Sequence, residues 1–78
     1  MNENEWKRYA AQHLKSELVK ADISYDVLVE RLKKIGVEES YSGIASKVNR
    51  GTFSFLFFAQ CMQAIGKTTV HIDPKGIK

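Results

Sequence analysis

The stretch Tyr41-Ser42-Gly43-Ile44-Ala45-Ser46-Lys47-Val48-Asn49-Arg50-Gly51-Thr52-Phe53 decides how this chain is read. Ile44 and Val48 are four residues apart, so a helix carries them on one side, where they anchor it. Ser42, Ser46, Lys47, Asn49 and Arg50 project elsewhere and give that helix a polar, partly cationic outer face. Gly51 ends it by taking a left-handed cap. A helix this short does not stand alone in water, so neighbouring elements must hold it up. Two readings stay open. Small hydrogen-bonding side chains pointing outward are what a helix needs to read base edges in DNA. A short connecting helix with a solvated face has the same local pattern.

Working outward, three more helices flank this one. Helix 1 is expected from about Glu5 to Ala21, with Trp6, Ala10, Leu14 and Leu18 at helical spacing and Tyr9 beside them. Asp22-Ile23-Ser24 breaks it, and Ser24 is a suitable N-cap for helix 2. Helix 2 runs from Tyr25 to Ile35, burying Val27 or Leu28 with Leu32 and Ile35, and Gly36 caps it. Lys33 and Lys34 lie in its last turn, where cations suit the helix dipole. After the turn Val37-Glu38-Glu39, Ser40 caps helix 3. Helix 4 begins at Thr52 or Phe53 and continues to Ile65, with Phe55, Phe58, Ala59, Met62 and Ile65 as its core face. Beyond Gly66, Thr69-Val70-His71-Ile72 alternates like a short strand, and Asp73-Pro74-Lys75-Gly76 ends it. The expectation is one all-α domain over residues 1–78, a bundle of four to five helices with a short C-terminal strand. Its ends, about 1–4 and 73–78, fray.

Composition narrows the classes. A chain of 78 residues forms one domain with a small core. No run of about 18 apolar residues occurs, so no transmembrane helix is expected. Met1-Asn2-Glu3-Asn4-Glu5 is polar and acidic, with no apolar region after it of the kind a secretory signal needs. The single cysteine, Cys61, excludes an intramolecular disulfide and fits a reducing, cytoplasmic setting. Twelve basic against nine acidic side chains leave a net charge of +3, which permits nucleic-acid binding without demanding it.

The order of elements resembles the lambda-repressor and Cro type of helix-turn-helix domain over roughly Leu14 to Ile72. Leu14-Lys15 opens the pattern, and Ser24 with Leu28-Val29-Glu30-Arg31-Leu32 is similar to that family's second helix. Ser42-Gly43-Ile44, with Val48 and Gly51 after it, is similar to its recognition helix and the glycine turn behind it. In that family a small residue at the place of Gly43 lets two helices cross closely. The segment Asn49-Arg50-Gly51-Thr52-Phe53 also looks like a group of short bacterial domains with no assigned function. Two features differ from the helix-turn-helix pattern. Lys33-Lys34-Ile35 lengthens helix 2 by nearly a turn, and Glu38-Glu39 stretches the connection to helix 3. Both imply a different angle for the recognition helix.

The resemblance implies a small DNA-binding transcriptional regulator with helix 40–50 as recognition helix. Its candidate contacts are Ser40, Tyr41, Ser42, Ser46 and Lys47 toward bases, with Asn49, Arg50 and Thr52 toward phosphates. Tyr41 has an alternative role packed against helix 2. Glu38 and Glu39 oppose DNA binding, because carboxylates at that end repel phosphates. Phe53, Phe57, Cys61 and Ala64 fall opposite the expected core face of helix 4 and form a candidate homodimer interface; the alternative is that helix 1 and the tail cover this face, with Trp6 and Val70 available for it. The rival function is a protein-interaction or oligomerisation module on the same scaffold, without DNA binding.

Catalysis finds little support. No carboxylate pair has an apolar setting, and neither His13 nor His71 has a neighbour at metal-ligand spacing. Gly66-Lys67-Thr68 lacks the upstream glycine and the preceding strand of a phosphate loop. We therefore expect no enzyme, no metal and no cofactor.

Overall fold

A computed structural model describes residues 1–67, which form four helices and no strand. These are α1 (Glu3–Lys20), α2 (Tyr25–Lys34), α3 (Tyr41–Arg50) and α4 (Phe55–Ala64). The expected strand at 69–72 and the expected frayed end at 73–78 lie outside the described residues.

Each helix starts at a side chain that accepts an otherwise unpaired backbone N–H. Asn2 accepts from the Glu5 N–H while the Glu5 carboxylate accepts from the Asn2 N–H, a reciprocal capping box. This pair starts α1 at Glu3, two residues ahead of the expected Glu5. Ser24, Ser40 and Ser54 cap α2, α3 and α4 in the same manner. Ahead of Ser54, Phe53 stacks on Phe58 with ring centroids 6.2 Å apart and planes 10° from parallel. That contact is a hydrophobic staple and fixes how the chain enters α4. It also explains why α4 begins at Phe55, later than the expected Thr52 or Phe53: those residues make the cap's approach.

The core is assembled from pairs four residues apart on successive turns. Leu14 and Leu18, Leu28 and Leu32, Ile44 and Val48, and Phe57 and Cys61 are all buried, and Met62 joins them. Helix α1 packs on α3, and α2 packs on both α3 and α4. At one end α4 is tied to α1 by charge: Lys67 Nζ lies 3.2 Å from the buried Glu17 carboxylate. His13 Nε2 sits 3.7 Å from the other Glu17 oxygen, beyond hydrogen-bond length.

Several expectations are corrected by this packing. In α2, Leu28 rather than Val27 is buried, and Ile35 is exposed as the cap. Trp6 is outside the core: it keeps 45% of its surface exposed and meets Tyr9 edge-on, with ring centroids 6.2 Å apart. On α4 the buried arc is Phe57, Cys61 and Met62, flanked by the half-buried Phe58, Ala64 and Ile65. Phe55 and Ala59, expected in the core, face outward. The helix is apolar nearly all round, so its periodicity selects no face, and the Phe53–Ser54 entry sets the rotation instead.

Candidate nucleic-acid interface

Helix α3 spans the expected residues. The Ser40 hydroxyl accepts from the Gly43 N–H at 3.0 Å, and Gly51 takes the left-handed cap with φ 67°. The close helix approach expected at Gly43 occurs instead at Gly51. A Cβ at Gly43 would meet only the Ser40 and Glu39 side chains, whereas one at Gly51 would overlap the Lys7 backbone carbonyl. Only glycine allows α1 to pass over this corner, and the crossing brings Lys7 and Arg50 to the same end of α3.

At 100° per residue, Ser42, Ser46, Asn49 and Arg50 form one stripe centred opposite the buried Ile44–Val48 pair. All four are exposed, and α3 itself contains no carboxylate. The Ser42 hydroxyl is 3.4 Å from that of Ser40, so its orientation follows the cap. Arg50 makes no ion pair among the described residues. Around the C-terminus of α3, Lys47, Arg50, Thr52 and Ser54 line a cleft of about 250 Å³ with Phe53 and Phe57. Its donors and the N-terminus of α4 suit an anionic oxygen.

The remaining candidates are committed elsewhere. Lys47 pairs with Glu39, and its Nζ lies 4.9 Å from the Phe57 ring centroid, a cation–π contact. The pair compensates one of the two carboxylates that oppose DNA, leaving Glu38 exposed. Tyr41, 52% exposed, sits edge-on to Tyr25 with centroids 5.6 Å apart. Burial, with Tyr41 second, raises the pKa of Tyr25. Ser40 is the cap already described, and Thr52 is exposed in the turn to α4.

The expected dimer residues are placed differently from the sequence reading. Phe57 and Cys61 are in the core, and Phe53 and Ala64 are half-buried, so this set presents no outward stripe. Burial pushes the Cys61 thiol up to about 12, with Glu39 adding to the rise and Lys47 opposing it. The residues that do stand out are Phe55, 80% exposed, and Leu56, 67% exposed. Sequence reasoning missed them because both are large and apolar, the usual marks of a core position. The signal available was Ser54, whose role as N-cap puts Phe55 and Leu56 in the first turn. Among the described residues, no group of three or more His, Cys, Asp or Glu side chains could hold a metal ion. No helix there is long and apolar enough to cross a membrane.

These features define a small all-helical domain with one polar helix face and one apolar edge. The chain belongs to the family described as Domain of unknown function (DUF6471), whose model matches residues 6–70. The match runs from Trp6, in the first half of α1, through all of α2, α3 and α4. No curated protein and no solved structure matches the chain.

Proposed function

We propose that this domain binds double-stranded DNA through α3 and acts as a transcriptional regulator on a scaffold of the lambda-repressor and Cro type. The observation that carries the reading is the Ser42–Ser46–Asn49–Arg50 stripe, exposed, free of carboxylates and centred on the solvent side of a helix held by two neighbours. Ser42 and Ser46 hydrogen-bond to base edges, which accept or donate to hydroxyls. Asn49, Arg50 and Thr52 hold phosphates, with Ser54 and the first turn of α4 beside them. Lys47 is a positioning residue: it holds the Glu39 carboxylate away from the duplex and rests on Phe57. The last turn of α2, with Arg31, Lys33 and Lys34, extends the positive surface.

Six residues, Ile35 to Ser40, separate α2 from α3, more than the three to four usual in helix-turn-helix units. On this reading α3 enters the groove at its own angle, and contacts do not transfer position by position. Selection from a random duplex library with purified protein tests the proposal. An enriched site, with preference altered and affinity little changed by Ser46→Ala, is the expected result. The absence of any enrichment, together with no binding at low salt, would favour a protein-interaction module on the same scaffold.

A further inference from the structure

Helices α1 and α4 run side by side in the same direction: Gly51 meets Lys7, Phe58 meets His13, and Lys67 meets Glu17. Between them lies an apolar groove of about 330 Å³, with Trp6, Tyr9 and His13 on one side and Phe53, Phe55 and Phe58 on the other. No ammonium, guanidinium or carboxylate lines it. The chain leaves α4 at one end of this groove. Ile65 closes the helix and Gly66, with φ 77°, reverses the chain, the Lys67 N–H donating to the Met62 carbonyl. Lys67 Nζ then reaches the buried Glu17 carboxylate at 3.2 Å. Glu17 lies one turn beyond His13 on α1, so the last described residue stands at the groove's end.

We propose that the occupant of this groove is the chain's own segment Thr68–Ile72, folded back along it from Glu17 toward Trp6. The lengths agree. Trp6 is eleven residues before Glu17 on the helix, about 16 Å, and Ile72 is five residues past Lys67, about 17 Å when extended. Val70, about 10 Å along, falls level with Ala10, seven residues before Glu17. The chemistry agrees as well. Val70 and Ile72, two apart, share one face of an extended segment, and the first charge after Lys67 is Asp73, past the Trp6 end. In the other direction from Glu17 the surface is that of Lys20 and Ala21, which gives two apolar side chains little to bury. The family match ends at Val70, so the pattern it describes continues past α4 into this segment. Tethered at Lys67, the segment has a far higher local concentration at the groove than a free partner of the same chemistry. The inference is independent of whether α3 binds DNA.

The test is NMR of the full chain in a sample where half of the molecules are isotope-labelled. Val70 and Ile72 methyl protons should show contacts with the Trp6, Tyr9 or Phe58 rings within one molecule. Trp6 is the sole tryptophan and lines the groove, so its emission gives a second readout. Wild-type emission should not depend on protein concentration. Val70→Asp combined with Ile72→Asp should shift it to longer wavelength and make it more readily quenched by acrylamide, with helicity unchanged. Val19→Asp, an exposed apolar site on α1 away from the groove, should change neither. Methyl–ring contacts seen only between labelled and unlabelled molecules would overturn the proposal in favour of a second copy. So would the absence of such contacts in the wild type, or a Trp6 indifferent to the paired Val70 and Ile72 substitutions.

Discussion

Single residues carry the strongest constraints in this domain, and Gly51 is the clearest. Its positive φ and its contact with the Lys7 carbonyl act together, so Gly51→Ala meets both backbone strain and a clash with rigid main chain. We expect a loss of about 3 kcal/mol or more, a large part of the stability of a small domain. Gly36 also has a positive φ but open space around it, so Gly36→Ala should lose only about 1 kcal/mol. Paired urea titrations of the two variants separate the clash from the strain. Cys61 gives a second test. Its thiol is favoured neutral in the folded state, with a pKa near 12 against an ordinary 9.0. Stability from this group is therefore complete below about pH 9 and is lost as pH rises toward 12. Thiol labelling at pH 8 should be slow in the folded protein and fast in denaturant, and melting temperature should decline above pH 9 in wild type more than in Cys61→Ala.

At the scale of elements, the sequence was most legible where caps and paired apolar residues agree. Ser40, Ile44, Val48 and Gly51 define α3 without ambiguity, and the structure has it at Tyr41–Arg50. Ser24, Leu28, Leu32 and Gly36 did the same for α2. Helix α4 was legible as a helix but not in its rotation, since Phe55, Leu56, Phe57 and Phe58 make every face apolar. What decides the rotation is the local Phe53–Phe58 staple together with the non-local fit of Phe57 and Cys61 against the other helices. The candidate stripe was legible for the same reason as α3, because four polar residues recur opposite the apolar pair. The pairing of Lys47 with Glu39, eight residues away, was not, as it depends on how the extended connection approaches the helix. The rotation of α4 is itself testable. Phe57→Ala should cost about 3 kcal/mol through the cavity it leaves, while Leu56→Ala should change monomer stability by less than about 0.5 kcal/mol. Denaturant melts of the two variants make the comparison.

The molecule as a whole separates two surfaces by chemistry. The α3 stripe and the cleft beside it are polar and cationic, whereas the α1–α4 groove is aromatic and uncharged. Helix α1 both lines the groove, through Trp6, Tyr9, Ala10 and His13, and crosses Gly51 at the end of α3. On the proposed reading Arg50 and Asn49 meet the phosphate backbone while Ser42 and Ser46 face the bases. Fluorescence anisotropy of wild type and Arg50→Ala on a labelled duplex, across a salt series starting near 50 mM, tests it most directly. Affinity should fall steeply with salt, at a logarithmic slope of about −0.9 for each phosphate neutralised. Arg50→Ala should weaken binding to all duplexes alike and make that slope shallower by about one. Wild-type binding with Arg50→Ala unchanged in affinity and slope would contradict the assignment of α3 as the DNA face, and no binding even at the lowest salt would contradict DNA binding altogether.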